Sequence, residues 1–192
     1  MPSLNIEALL SPVSADQPCG ESLQYQFPDL EVLAQGKEDT QFSKATEPDW
    51  RQVRDLSLRY FQRGKHLKVA TILALASLRL DGFPGLRDGL KLVQGLLEQY
   101  WETVEPRLDP ADNNDPGERI NAISMMLVER GTFGDKFKFQ DRIFAAPLCD
   151  SRVYGRMSLR DIAIAAGTLK VASSAANEGE EPPPPPTMAA ID

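Results

Sequence analysis

The sequence is poor in the residues that enzyme active sites most often require. It has one histidine, His66, so a Ser/His/Asp or Cys/His catalytic centre would have to include that residue. No nucleophile elbow lies near His66, and the chain has neither a Walker A loop nor a GxGxxG motif after a strand. The sequence therefore predicts a protein that is not an enzyme and binds no cofactor, with His66 exposed or partly packed.

Cysteine is also scarce. Cys19 and Cys149 lie far apart, and neither belongs to a CxxC pair or a Cys/His cluster. This spacing predicts two free thiols, as in proteins of reducing compartments. The start of the chain has no basic segment followed by an apolar stretch, and no uninterrupted apolar run approaches the length of a membrane span. We therefore expect a soluble cytoplasmic protein.

Basic residues are outnumbered by acidic ones. The 192 residues include 21 Lys and Arg against 28 Asp and Glu, which gives a formal net charge of −7. Binding to nucleic acid phosphates needs the opposite balance, so the composition argues against a nucleic-acid partner. The length is sufficient for one domain with a substantial core and an appendage.

Apolar residues recur mainly at helical spacing, which predicts an all-α fold. Short helices are expected from Asn5 to Leu10 and from Asp29 to Ala34. Longer ones are expected from Glu47 to Gly64, from Leu67 to Leu80 and from Pro84 to Trp101. Their short connections predict antiparallel neighbours. Trp50 and Trp101 lie on the apolar stripes and are expected in the core, and close helix packing is expected at Gly82, Gly85, Gly89 and Gly95.

The chain divides into three predicted segments. Residues 1–46 form an irregular strap with short helices that packs on the body, and residues 47–167 form the helical body. Together they are expected to make one compact antiparallel helical domain. Residues 168–192 are rich in Ala, Glu and Pro, and the five prolines Pro182–Pro186 predict a disordered linker or tail. A recognition motif for a polyproline-binding domain is the alternative.

The most distinctive stretch is the polar corner from Tyr100 to Ala122. Asn, Asp and Pro favour turns and helix caps, so hydrogen bonds are expected to hold the corner, with its two arginines pairing with carboxylates or carbonyls. Asp115 and Pro116 are expected as the N-cap and first residue of the next helix. Its inward residues are predicted to be Ile120, Ile123, Met126 and Leu127, and its end Gly131. The candidate structural residues of the corner are Tyr100, Trp101, Pro106, Arg107, Asp109, Asp112, Asn114, Arg119 and Asn121.

The same corner also invites a metal hypothesis. Asp109, Asp112 and Asp115 supply oxygen atoms of the kind that calcium prefers. However, the spacing does not match an EF-hand, and Pro110 and Pro116 interrupt that frame. Turn and capping roles account for these residues, and no metal site is predicted. A small metal-dependent hydrolase that uses loop 109–115 remains an alternative function.

The segment after Gly131 is the least regular. Phe137, Phe139 and Ile143 alternate enough to allow a short hairpin near residues 137–146. Ser158 and Asp161 resemble a capping box before a helix that ends near Gly167. The inward residues of that helix are expected to be Leu159, Ile162 and Ala166.

Several separate blocks together carry a family resemblance. They are Leu9–Ser14, Gln17–Leu23 with Tyr25, Glu47–Arg51, Gly82–Leu90, the corner itself, Pro147–Leu148, Gly155–Arg156 and Ser158–Asp161. In order and spacing, these blocks resemble the ImpA-type amino-terminal domain of TssA proteins, which are cytoplasmic components of the bacterial type VI secretion system. The corner is the most recognisable block.

The resemblance implies a non-enzymatic role in assembly. It implies a protein-interaction domain that engages baseplate, sheath, inner-tube and membrane-complex components during tail assembly. The C-terminal oligomerisation region typical of TssA proteins is missing from these residues, so we expect the native chain to continue and the full-length protein to be homo-oligomeric through that region. A helical adaptor unrelated to secretion is a further alternative.

Overall fold

Helices make up most of the chain that the structure describes. The computed structural model describes residues 4–23, 26–37, 41, 44–132, 134–152 and 155–169. It divides into two compact units, the first of which ends at Gln140. The elements are α1 (Ile6–Leu10), α2 (Pro28–Gln35), α3 (Trp50–Arg63), α4 (Leu67–Gln99), a 3-10 turn (Pro110–Asp112), α5 (Gly117–Ser124), α6 (Phe139–Phe144), β1 (Pro147–Ser151), β2 (Gly155–Ser158) and α7 (Leu159–Ala165).

Helices α1 and α3 begin where short polar side chains cap them. Asn5 Oδ1 accepts a hydrogen bond from Ala8 N–H at 3.1 Å and so caps α1. Asp49 Oδ1 accepts from the N–H groups of Arg51 and Gln52, each at 3.1 Å. Because Asp49 is the cap, α3 begins at Trp50, three residues later than the sequence predicted.

The core is organised around α4, which is broken at Gly82. Gly82 has φ 68° and ψ −152°, and these angles separate a first arm from a second arm. An added Cβ at Gly89 would lie 2.5 Å from Ala74 Cα, and one at Gly85 would lie 2.2 Å from the Ser77 carbonyl oxygen. The two arms therefore pack closely against each other, as the helix break and the small residues predicted.

By length and composition alone, α4 could cross a membrane, contrary to the expectation from the sequence. Most of its apolar residues are instead buried against the other helices of the first unit. Its break at Gly82 also leaves two arms that pack together rather than one continuous span. Burial in a protein core therefore accounts for its composition.

Residues 4–23 are joined to the end of α3 and the turn before α4 through both backbone and side-chain groups. Lys65 N–H donates to the Cys19 carbonyl at 2.8 Å, and Glu21 N–H donates to the Arg63 carbonyl at 3.0 Å. Buried Lys65 extends its Nζ to the Leu9 carbonyl, 2.7 Å away. Burial lowers the pKa of Lys65 below its ordinary value.

Cys19 and Cys149 are both free thiols, as predicted, and Cys19 is buried.

Helix α5 is shorter than predicted and rotated about its own axis. It ends at Ser124 rather than Gly131, and its buried residues are Arg119 and Ala122. Ile120 and Leu127, expected to face inward, are 59% and 73% exposed. The rotation follows from the contacts of Arg119, described below.

The second unit holds the two-stranded sheet, so the fold is mostly helical rather than all-α. β1 and β2 pair antiparallel with Cys149 opposite Met157 and Ser151 opposite Gly155. The hairpin expected near residues 137–146 is wrong, because α6 occupies most of that stretch. Short apolar runs such as this one fit helical spacing as well as strand alternation.

The predicted capping box of α7 is confirmed. Ser158 Oγ accepts from Asp161 N–H at 3.3 Å, and Asp161 Oδ2 accepts from Ser158 N–H at 2.8 Å. The predicted inward face is wrong, because no residue of α7 is buried and Leu159 is 39% exposed.

The predicted tail from residue 170 onwards lies outside the described residues, and the predicted segment boundaries stay predictions.

Candidate functional site

Arg119 lies at the centre of the corner and is 2% exposed. Its Nε donates to the Pro106 carbonyl at 2.7 Å, its Nη2 to the Val104 carbonyl at 2.9 Å, and its Nη1 to the Trp101 carbonyl. The guanidinium carbon also lies 4.7 Å from the centroid of the Trp101 ring. One buried side chain thus closes the loop onto α5, and the predicted pairing with loop carbonyls is confirmed.

Burial lowers the pKa of Arg119 below its ordinary value, and the nearby carboxylates Glu102 and Glu105 oppose that shift. The side chain remains a cation, since arginine does not lose its proton in proteins. The three carbonyl acceptors compensate for the removal of the charge from water.

Trp101 is 41% exposed, so its predicted place in the core is wrong. Helix α4 ends at Gln99, which puts Trp101 beyond the last turn and off the apolar stripe. One face of its ring contacts the Arg119 guanidinium while part of the side chain remains accessible. Trp50, by contrast, is 8% exposed, as predicted, and donates from Nε1 to Glu47 Oε2 at 3.0 Å.

Arg107 pairs with a carboxylate, as expected. Its Nε donates to Glu105 Oε1 at 2.9 Å and its backbone N–H donates to Glu105 Oε2 at 3.2 Å. Glu105 also joins the corner to the start of α4, because its carbonyl accepts from Leu67 N–H at 2.8 Å and its N–H donates to the Lys65 carbonyl at 3.1 Å. The Glu105–Pro106 peptide bond is cis.

The Asp-rich part of the corner forms turns. Asp109 Oδ1 accepts from Ala111 N–H at 2.8 Å, and the Asp109 carbonyl accepts from the N–H groups of Asp112 and Asn114. Asn114 has φ 54°, in the left-handed region that asparagine tolerates. The described residues contain no group of three or more His, Cys, Asp or Glu side chains that could hold a metal ion.

The predicted cap of α5 is wrong by one position. The helix begins at Gly117, and the residue before it, Pro116, supplies no capping side chain. The Asp115 side chain lies beside Gly117 instead. The start of α5 is anchored by the hydrogen bonds of Arg119, a residue of its first turn, to the Pro106 and Val104 carbonyls rather than by a capping carboxylate.

The two remaining corner residues, Tyr100 and Asn121, have different surroundings. The Tyr100 hydroxyl donates to the Leu10 carbonyl, and Lys65 Nζ lies 5.6 Å from the centroid of its ring. Burial raises the pKa of Tyr100. Asn121 is exposed and lies at the edge of a cavity that the sequence did not predict.

This cavity, called here the His66 cavity, has a volume of about 300 Å³. It lies between α2, the first turn of α4, α5 and the loop that precedes α6. Sequence analysis missed it because its walls come from four separate parts of the chain. Its lining residues are Phe27, Glu31, His66, Lys68, Pro106, Glu118, Asn121, Ala122, Met125, Val128, Gly134, Asp135, Lys136 and Phe137.

His66 is 5% exposed, contrary to the expectation that it would be exposed or partly packed. Its Nδ1 accepts from Lys68 N–H at 3.1 Å and so caps α4. Its ring meets the edge of Phe27 at 4.7 Å between centroids. Burial, assisted by the nearby Lys68 charge, lowers the pKa of His66 to about 4.

The corner and the helices that it joins match a known family. The family model described as "ImpA, N-terminal, type VI secretion system" matches residues 10–127. The chain belongs to this family. The matched ImpA N-terminal segment runs from the end of α1 to just beyond α5, and it includes every candidate residue of the corner.

Two comparisons agree with the ImpA assignment and with the resemblance seen in the sequence. The chain is 41% identical over 176 residues to the type VI secretion system component TssA1 of Pseudomonas aeruginosa. That alignment covers 88% of this chain and 49% of the relative, so the chain spans about half the relative's length.

The second comparison concerns the fold. A solved structure, the TssA N-terminal domain with the conserved ImpA_N region from Burkholderia cenocepacia, is similar with a TM-score of 0.61 at 22% identity. The match covers 85% of this chain and 58% of that one. At this identity the likeness supports the ImpA-type fold and no finer statement.

Proposed function

We propose that this chain is the protein-interaction domain of a TssA-type component and acts without catalysis in assembly of the type VI secretion tail. The observation that carries the proposal is the family match across residues 10–127, which includes most of the first unit. Its expected partners are baseplate, sheath, inner-tube and membrane-complex proteins in the cytoplasm. We further propose that the full-length protein forms homo-oligomers through a region beyond these residues.

Trp101 is the residue of the corner that we propose to contact a partner. It is 41% exposed, and its ring packs against Arg119, which donates hydrogen bonds to three carbonyls. A large, pre-oriented aromatic side chain can bury much area on binding at little entropic cost, and tryptophan is enriched among the residues that contribute most to protein interfaces.

The proposal is tested by capture of purified secretion components on the immobilised 192-residue chain. We expect at least one baseplate, sheath, inner-tube or membrane-complex protein to be retained, and Trp101→Ala to reduce its retention. Val32→Ala is a matched control, since Val32 is an apolar side chain on α2 that is 68% exposed. Retention of no component would contradict the secretion role and favour an unrelated helical adaptor.

A further inference from the structure

The His66 cavity has mostly apolar walls. Phe27, Ala122, Met125 and Phe137 line it and are each at most 9% exposed. The methionine thioether adapts to the outline of a ring and makes favourable contacts with aromatic edges. These walls suit a flat apolar group.

The volume limits the size of that group. An apolar cavity of about 150 Å³ is known to accommodate benzene, and sites for drug-sized ligands start at about 300 Å³. At about 300 Å³, the His66 cavity has room for one substituted aromatic ring and is small for a nucleotide. A single large side chain matches it better than an extended cofactor.

His66 supplies the cavity with a directional polar group. Because Nδ1 accepts the Lys68 N–H and the ring is neutral near pH 7, the proton lies on Nε2. Within the described part of the chain, the side-chain hydrogen bond of His66 is the one at Nδ1, and Nε2 is not among the buried polar atoms that lack a partner, so we infer that it is accessible from the cavity. A ligand that enters the cavity would displace solvent from this donor, so a ligand that brings its own acceptor is favoured.

The charges around the cavity disfavour an anionic ligand. Lys68 Nζ and Glu31 Oε1 form an ion pair at 2.7 Å, so these two charges compensate each other. The other charged lining residues, Glu118, Asp135 and Lys136, carry both signs. Two of these three residues are acidic and one is basic, so the lining has a small excess of negative charge and disfavours an anion such as a carboxylate or a phosphate.

We propose that the His66 cavity binds a phenol ring, presented as a tyrosine side chain by a protein partner. The ring would pack between Phe27, Met125 and Phe137, and its oxygen would accept the His66 Nε2–H. The claim that the ring belongs to a protein partner rests on the proposed function. The claim that the cavity binds a phenol does not.

The cavity is tested with p-cresol, which is the side chain of tyrosine alone, by NMR of the chain labelled at its methionine methyl groups. The sequence has five methionines, of which Met125 lines the cavity and Met157 lies in the second unit as a reference. We expect a saturable shift of the Met125 signal and none of the Met157 signal. A Met125 signal that does not respond saturably would overturn the proposal.

Two variants test the location. Ala122→Leu places a larger side chain in the cavity wall and should abolish the Met125 response, while Ala8→Leu makes the same change at an exposed position of α1 and should not.

His66→Asn keeps a good helix cap and removes the imidazole N–H. It should lower the ratio of p-cresol to toluene affinity by about 2- to 10-fold. An unchanged ratio would contradict the assigned hydrogen bond.

The partner is tested separately. In the capture experiment, p-cresol and the Ala122→Leu variant should each reduce retention of the component that the wild-type chain retains. Undiminished retention in both arms would overturn the tyrosine assignment and leave the secretion role intact. If the wild-type chain retains nothing, the proposed function and the partner assignment fail together, and the p-cresol titration still decides whether the cavity binds a phenol.

Discussion

Arg119 shows how one buried cation can determine local structure. It serves three backbone carbonyls that no other donor in the corner is placed to reach among the described contacts. Arg119→Met should therefore leave these acceptors unpaired and lower the free energy of unfolding by at least about 3 kcal/mol. Urea denaturation measures this. Arg51→Met, on the exposed side of α3, should change stability by no more than about 0.5 kcal/mol, and equal losses in the two variants would contradict the role of Arg119.

The two tryptophans should differ in their contribution to stability. Trp50 is buried, so Trp50→Ala should cost about 3–5 kcal/mol. Trp101 is 41% exposed and is held mainly by its contact with Arg119, so Trp101→Ala should cost only about 1–2 kcal/mol. Denaturation midpoints of the two variants under one condition provide the comparison. A loss at Trp101 as large as that at Trp50 would show that its ring is buried in solution.

His66 should make stability depend on pH in a defined window. Its pKa is about 4 in the folded chain against 6.5 for the free side chain. Above pH 6.5 both forms are neutral, but below it the unfolded chain takes up a proton that the folded chain does not, so stability falls as pH falls towards 4. The expected loss is about 2 kcal/mol at pH 5 relative to pH 7. His66→Asn should reduce this loss in urea titrations at the two pH values, and an unreduced loss would show that other groups cause it.

At the scale of elements, the sequence predicts which helices form better than it predicts which face of each helix is buried. Helices α1 to α4 and the break at Gly82 follow from apolar spacing, caps and glycine, which are local signals. The rotation of α5 could not be predicted this way. Periodicity favours Ile120 as an inward residue, but the three carbonyls that draw Arg119 inward belong to a loop whose geometry the spacing does not encode. For the same reason the apolar spacing predicts the wrong environment for the side chain of Trp101.

The helical glycines should respond differently to alanine. Alanine normally stabilises a helix by about 1 kcal/mol relative to glycine. At Gly89, however, the new Cβ would lie 2.5 Å from the Cα of Ala74 on the facing arm of α4, where the backbone must move. Gly89→Ala should therefore destabilise the chain by about 1–3 kcal/mol. At Gly95 the neighbour is the flexible Leu10 side chain, so Gly95→Ala should cost less in the same thermal melts. The opposite order would contradict the close packing of the arms.

For the whole molecule, the family could be predicted from the sequence although the cavity could not. Each family block, including the corner, is a continuous stretch of sequence. The order and spacing of the blocks can therefore be recognised without the structure. The His66 cavity is assembled from Phe27, His66, Ala122 and Phe137, which are distant in the chain and are individually unremarkable apolar or capping residues. Only the packing of α2, α4 and α5 brings them together, which is why His66 alone suggested no site.

The metal-dependent alternative makes a prediction about the entire folded chain. A cation that binds the native state stabilises it in proportion to the logarithm of its concentration above Kd, so it should raise Tm. The side chain and the carbonyl of Asp109 already accept hydrogen bonds from backbone N–H groups within loop 109–115. We therefore expect Tm to stay within about 1 °C on addition of calcium, magnesium or EDTA in matched ionic strength, below the shift of about 2–8 °C that 1–2 kcal/mol of binding would give a chain of this size. A rise of several degrees with one cation, reversed by EDTA and lost in Asp112→Asn, would favour a metal site in loop 109–115 over its structural role.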